Sequence, residues 1–258
     1  MKPGLLVISH GSREPGWVAL VDATLEAARA QLGASLEVEA AFLELVEGRL
    51  IQDGIDRLEA SGVTHLLALP LFVSSGSTHV DEIGWALGAY DAPRTETDLE
   101  CYRISAELTY GKPMNDDPEL VGVVLDRLKE MSTMPAKESF LLIGHGSQEA
   151  GFQEAWEQGL AAISDQLMRF GGFGACSTAL LLPNQVKERW QGLHRSHPHN
   201  DIIVIALFLS EGYFTKEVIP RRLEGLACRY DGRALMPHPR IADWIVRQTR
   251  DWLDPMES

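Results

Sequence analysis

Gly4-Leu5-Leu6-Val7-Ile8-Ser9-His10-Gly11-Ser12, near the start of the chain, recurs as Phe140-Leu141-Leu142-Ile143-Gly144-His145-Gly146-Ser147 beyond its middle. A second pair repeats with it. Leu69-Pro70-Leu71-Phe72-Val73-Ser74-Ser75-Gly76 matches Ile205-Ala206-Leu207-Phe208-Leu209-Ser210-Glu211-Gly212. His10 lies 135 residues before His145, and Gly76 lies 136 before Gly212. Two matches at nearly one offset in a chain of 258 residues predict an internal duplication. The polar stretch Glu130–Glu138 (EMSTMPAKE) reads as the linker, which gives an N-terminal module over 1–133 and a C-terminal module over 134–258.

Within each module the hydrophobic period switches between strand and helix. Leu5–Ser9 is a short apolar run. Trp17, Val18, Val21, Thr24, Leu25, Ala28 and Leu32 then recur at helical spacing. Leu36, Val38, Ala40 and Phe42 alternate as a strand does, and Leu50, Ile51, Ile55 and Leu58 return to the helical period. Thr64–Val73 predicts a buried strand broken by Pro70, followed by a helix from about Val80, a strand over Leu99–Ser105 and a helix over Pro118–Met131. The second module repeats the order, with strands near Phe140, Ser177, Ile202–Leu209 and Ala234. Its helices are expected after Glu149, near Val186, near Val218 and over Ile241–Leu253. Alternating strands and helices imply parallel sheets covered on both faces. The fold class expected is α/β: two flavodoxin-like modules, related by duplication and facing each other across a cleft.

Bulk composition narrows the function. A formal net charge of −14 opposes non-specific nucleic-acid binding, which needs a basic footprint. No apolar run approaches the ~20 residues of a membrane-spanning helix, and the first residues do not read as a signal peptide. Cys101, Cys176 and Cys228 are widely spaced and form no CxxC pair, so a reducing cytoplasm is the expected compartment.

Ligands of open parallel sheets bind beyond the carboxyl ends of the strands. In the first module those ends carry His10-Gly11-Ser12-Arg13, Glu44, Ser74-Ser75-Gly76-Ser77-Thr78-His79 and Thr109-Tyr110-Gly111-Lys112. Imidazole with carboxylate suits a borderline divalent metal such as iron, cobalt or nickel. It also suits proton abstraction, since free histidine titrates at about 6.5. Taken singly, each residue has a blander reading: His10 or His79 as a turn residue, Glu44 as a solvated strand end, Gly11-Ser12 as a tight turn, Ser74–Thr78 as a loop entering a helix cap. Arg13 reads equally as a carboxylate partner and as a solvated side chain. Convergence on one sheet edge favours a site. The second module keeps His145, but its aligned sequence carries Thr215 in place of His79 and Leu182 in place of Glu44. His194, His197 and His199 read as a surface loop, His65 as a satisfied core histidine, and Trp244, Ile245, Val246 and Trp252 as helix packing.

The chain resembles the class II chelatases that act on sirohydrochlorin. The resemblance runs through LLVISHGSR (5–13), AFLELVEG (41–48), LPLFVSSGSTHVDEI (69–83), TYGKPMNDDPEL (109–120), LLIGHGS (141–147) and IALFLSEGYFTKEVIPRRL (205–223). It implies ATP-independent insertion of Fe2+ or Co2+ into sirohydrochlorin, for siroheme or cobalamin, with no cofactor beyond that metal substrate. His10 and His79 match the family's metal-handling and catalytic histidines, and Glu44 its acidic residue. Gly11, Ser12, Arg13, Ser74, Ser75, Gly76, Ser77 and Thr78 are then the expected substrate-binding set. A carboxylate-rich tetrapyrrole on an acidic protein requires local N–H donors and basic groups. The partners implied are the tetrapyrrole and a divalent metal ion, with no nucleic acid and no membrane, in a monomer or homodimer. Two rivals stand beside this reading. One is a non-catalytic metal or tetrapyrrole carrier. The other is a phosphate-ligand enzyme, against which the absence of GxGxxG and GxxxxGK[ST] counts.

Overall fold

The computed structural model describes residues 2–12, 15–34 and 36–256. Chain order is β1 (Pro3–Ser9), α1 (Pro15–Leu32), β2 (Glu37–Phe42), α2 (Ile51–Ala60), β3 (His65–Pro70), α3 (Thr78–Ala86), β4 (Glu107–Tyr110), α4 (Pro118–Met131), β5 (Glu138–Gly146), α5 (Phe152–Gly171), β6 (Ala175–Leu182), α6 (Val186–Ser196), β7 (Asp201–Ala206), a π-helical turn (Phe214–Val218), α7 (Ile219–Leu223), β8 (Arg229–Tyr230) and α8 (Pro239–Leu253). The strands form two parallel sheets of four, ordered β2-β1-β3-β4 and β6-β5-β7-β8. This is the flavodoxin-like order, in which connections leave the two central strands toward opposite faces. The duplication read from the sequence is therefore a repeated sheet topology.

β1 and β5 are apolar throughout because each is central in its sheet. In the first sheet Leu6 and Ile8 pack with Ile51, Ile55 and Leu58 of α2 and Val80 and Ile83 of α3. Leu5 and Val7 alternate with them and are fully buried on the opposite side, where α1 meets β2 and α8 meets β3. Each such side chain contributes roughly 1.5–3 kcal/mol on burial. In the second sheet Leu141 and Ile143 pack with Val186, Trp190 and Leu193 of α6 and with Ile219 and Leu223 of α7. There α5 covers β5 and β6, and α4 packs on α5 and β7.

The compact units do not follow the 133/134 division of the duplicated sequence. One unit is Met1–Met114 with Pro239–Ser258, and the other is Asn115–His238. Each module's final helix has been exchanged: α4 follows β4 in the chain yet completes the second sheet, and α8 follows β8 yet completes the first.

Two strands lie away from their expected places. Leu99–Ser105 is not a strand; the fourth strand is Glu107–Tyr110. Leu99, Tyr102 and Ile104 do pack on the core, which explains their alternation. Their neighbours' backbone donors go elsewhere: Arg103 N–H to Gln52 Oε1, and Ser105 and Ala106 N–H to Glu59 Oε1. Likewise the last strand is Arg229–Tyr230, not the stretch near Ala234. Leu235 and Met236 instead bond singly to the carbonyls of Phe208 and Leu209. No described helix is long and apolar enough to cross a membrane.

Candidate active site

The β1–β2 ladder runs on past both strand ends. Leu43 N–H donates to Ser9 O at 2.9 Å and Glu44 N–H to His10 O at 3.1 Å, so His10 and Glu44 emerge side by side. Gly11 then turns the chain directly over Glu44. Its φ is +101°, and a Cβ there would lie 1.9 Å from the Glu44 carbonyl oxygen. Only glycine satisfies both demands. His10 Nδ1 lies 3.1 Å from Gly11 O. A carbonyl can only accept, so in this bond Nδ1 carries the proton and Nε2 presents its lone pair. Glu44 Oε1 stands 3.7 Å from the same Nδ1, too far for a hydrogen bond and close enough to pair with an imidazolium.

The loop after β3 brings up the second histidine. Leu71 N–H donates to Ile8 O, extending the β1–β3 pairing to the root of the loop. Ser74 is buried, and its hydroxyl accepts from Gly76 N–H at 3.0 Å, while Ser77 N–H donates to Ser74 O at 3.1 Å. These bonds fold residues 74–77 into the N-terminus of α3. Ser75, Ser77 and Thr78 remain half-buried at the rim, and Gly76 is buried. His79, in the first turn of α3, meets His10 edge to face, with ring centroids 4.6 Å apart at 74°. The two loops are those of the central strands β1 and β3, where ligands of this topology bind.

The structure thus assembles His10, Glu44 and His79 at one carboxyl edge, with Gly11 and Ser12 beside them. Arg13 lies outside the described residues. Sequence reading missed Glu82 and Thr97. Glu82 Oε1 accepts from His79 Nδ1 at 2.5 Å, and Glu82 Oε2 accepts from Thr97 Oγ1 at 2.7 Å. The hydrogen bond from His79 holds the Glu82 carboxyl below its ordinary range; burial opposes the shift, and the Thr97 bond and the nearby imidazoles reinforce it. The His-x-x-Glu spacing on a predicted helix was the signal available, since residues three apart share a face. Next to it Asp81, buried, accepts from Arg94 Nε at 2.6 Å and Arg94 N–H at 2.7 Å.

Among the described residues no group of three or more His, Cys, Asp or Glu is arranged to hold a metal ion. Two imidazoles that each engage Nδ1 leave two Nε2 atoms as ligands, an arrangement suited to transient rather than resident metal. His194 instead stacks on Trp190, and His65 bridges Thr64 and Glu107. A shallow open groove on the second unit is lined by residues that include Cys176, Glu188, Arg189, Arg195 and His197.

The second unit repeats the turn without the site. Gly146 has φ +81°, a Cβ there would lie 2.1 Å from Leu182 O, and His145 Nδ1 lies 2.9 Å from Gly146 O. Leu182 therefore stands where Glu44 does. The counterpart of His79 differs from the sequence alignment. Thr215 is buried and bonds to the backbone of Gly212, while the ring against His145 is Phe214, at 4.9 Å and 83°. The wide π turn Phe214–Val218 rephases this segment by comparison with α3.

The family model described as CbiX matches residues 4–131 and 139–252, nearly the whole chain in two successive copies. The chain belongs to the CbiX family. Curated relatives carry chelatase names. The sirohydrochlorin ferrochelatase of Bacillus subtilis (strain 168) is 29% identical over 149 residues, 58% of this chain. That match spans only 53% of the relative's own length, about half of it. The sirohydrochlorin cobaltochelatase of Methanopyrus kandleri is 27% identical over 137 residues, covering 49% of this chain and 94% of that enzyme. Among solved structures, SirB from Bacillus subtilis with Fe3+ superposes with a TM-score of 0.77 at 23% identity, covering 97% of this chain and 95% of that one. The structural likeness establishes the CbiX fold across both modules.

Proposed function

We propose that this CbiX-family chain inserts Fe2+ or Co2+ into sirohydrochlorin without ATP, at the His10–Glu44–His79 edge of the first sheet. The observation that carries the reading is the His10–His79 pair: two imidazoles in contact, each with Nδ1 engaged, beside a carboxylate. Family membership and the relatives named as iron- and cobalt-inserting enzymes support the substrate.

Insertion replaces two pyrrole N–H protons with one divalent ion. The Nε2 lone pairs of His10 and His79 serve both needs, holding the incoming metal and receiving the protons. Glu44, more than half exposed, compensates the positive charge that a protonated His10 acquires. Metal ligation requires neutral imidazole, so loading the ion and accepting a proton are successive tasks of the same atoms. The Gly11 and Ser12 backbone, Arg13, and the rim Ser74–Thr78 hold peripheral carboxylates of the tetrapyrrole. Within that rim the Ser74 hydroxyl and Gly76 shape the loop, and Ser75, Ser77 and Thr78 face the substrate. No cofactor is required beyond the metal substrate, and the setting is the cytoplasm.

The experiment is direct: purified protein, sirohydrochlorin and excess Fe2+, Co2+ or Ni2+, followed by visible absorbance. Many equivalents of metallated product per protein are expected with Fe2+ or Co2+. Conversion that stops at one equivalent would replace this reading with a carrier.

A further inference from the structure

We propose that Glu82, fastened by Thr97, is the positioning residue that presents His79 Nε2 to the metal and the substrate. The proposal rests on the role given to His79 above. His79 and Glu82 lie one turn apart on α3, and the Nδ1–Oε1 contact of 2.5 Å is the shortest made by either histidine of the pair. An ionised carboxylate can only accept, so this bond places the proton on Nδ1 and leaves Nε2 as the lone-pair atom. It also fixes the ring plane. An imidazole without such a partner divides itself between two tautomers and several rotamers, and only a fraction of those present Nε2 outward.

Glu82 is itself immobilised. Its side chain is 17% exposed, against 53% for Glu44, and its second oxygen is taken by the Thr97 hydroxyl. Thr97 comes from the irregular connection 87–106 between α3 and β4. The same connection sends Arg94 to Asp81, so it grips two adjacent carboxylates in the first turns of α3. The second module provides the comparison. Its corresponding connection, between α7 and β8, is only 224–228. Phe214 stands in place of His79, the residue three further on is the exposed Glu217, and no histidine faces His145. The facing histidine and the clamping connection are present together in one copy and missing together in the other, where the exposed Glu217 has no imidazole to hold. The long connection of the first module is thus part of the site's second layer, although it contributes no ligand.

The test uses full-length Glu82→Gln and Thr97→Val beside wild type and His79→Ala. Three quantities are read: the His79 tautomer by two-bond nitrogen–proton NMR on the metal-free protein, Co2+ affinity by visible absorption, and kcat and KM for insertion. Gln can donate or accept, so it does not enforce a tautomer. Expected for Glu82→Gln are a mixed tautomer and a 10- to 100-fold loss in Co2+ affinity. A comparable loss in kcat should accompany them, with KM for the tetrapyrrole within about twofold. Thr97→Val, which keeps the carboxylate, should move all three in the same direction by less, and it answers the question if Glu82→Gln fails to fold. An unchanged Nδ1–H tautomer in both variants overturns the proposal. So does wild-type turnover in Glu82→Gln while His79→Ala is inactive. Wild-type turnover in His79→Ala would instead overturn the assignment of His79 to the chemistry.

Discussion

At the scale of single residues the site depends on a glycine as much as on its histidines. Gly11 must hold φ +101° and let the chain pass against the Glu44 carbonyl, and Gly146 repeats that constraint against Leu182. A methyl group at either position forces backbone to move, at a cost on the order of 3 kcal/mol from strain and overpacking together. Gly11→Ala and Gly146→Ala should therefore lower the melting temperature by similar amounts, roughly 6–12 °C. Their activities should diverge. Gly11→Ala displaces His10 from Glu44 and should lose at least tenfold in kcat, whereas Gly146→Ala should lose far less once assayed well below its melting point. Equal activity losses in the pair would remove the geometric role given to the Gly11 turn. His10, Glu44 and His79 were legible because strand ends can be read from apolar runs, and the topology sends β1, β2 and β3 to one edge. Glu82 was not singled out because a helical carboxylate is ordinarily a solvated side chain; only the folded chain brings His79 and Thr97 to its two oxygens. Phe214 was missed because the offset that aligns the flanking segments points to Thr215, and a π turn intervenes.

At the scale of elements, the central strands and the edge strands β2 and β6 were readable, and the edge strands β4 and β8 were not. β1, β3, β5 and β7 carry runs such as Leu5–Ile8 that only a central strand requires. Leu99–Ala106 has comparable alternation, yet the side chains of Gln52 and Glu59 take its backbone donors and no ladder forms. The sequence linker is likewise more than a spacer. Glu138, buried at the start of β5, gathers the hydroxyl of Ser132, the backbone and hydroxyl of Thr133, and Arg229 Nη2 of β8 at 2.6 Å. Burial alone would raise its pKa, but these donors prevail and hold it at about 2. A depressed carboxylate adds stability that is complete above its ordinary value of 4.5 and is lost as pH falls toward about 2. The shift corresponds to about 3 kcal/mol. Glu138→Gln should lower stability at pH 7 by roughly that amount and flatten the decline between pH 4.5 and 2, as measured by urea midpoints across that range. An unchanged acid slope in the variant would mean that other carboxylates carry the dependence.

At the scale of the whole molecule, the sheet topology is duplicated while the histidine pair with its carboxylate is found in one copy among the described residues. The duplication was visible in the sequence as two matches at one spacing. The exchange of α4 and α8 between the compact units was not, because hydrophobic periodicity identifies a helix without naming the sheet that it covers. Both copies preserve the glycine turn and the histidine that donates to it. Around His10 stand Glu44, His79 and, behind it, Glu82; around His145 stand Leu182, Phe208 and Phe214. Apolar neighbours offer neither a second ligand nor a proton acceptor, so the proposed reading gives the second unit no chemistry of its own. The central claim, one chemical site in a two-module chain, is tested by steady-state insertion kinetics of His10→Ala and His145→Ala side by side. His10→Ala should lose kcat by at least a hundredfold, about 2.7 kcal/mol of transition-state stabilisation. His145→Ala should keep most of its kcat, with any defect confined to a higher KM for the tetrapyrrole. Equal losses of kcat in both variants at unchanged KM would contradict the single-site account and place His145 in the chemistry.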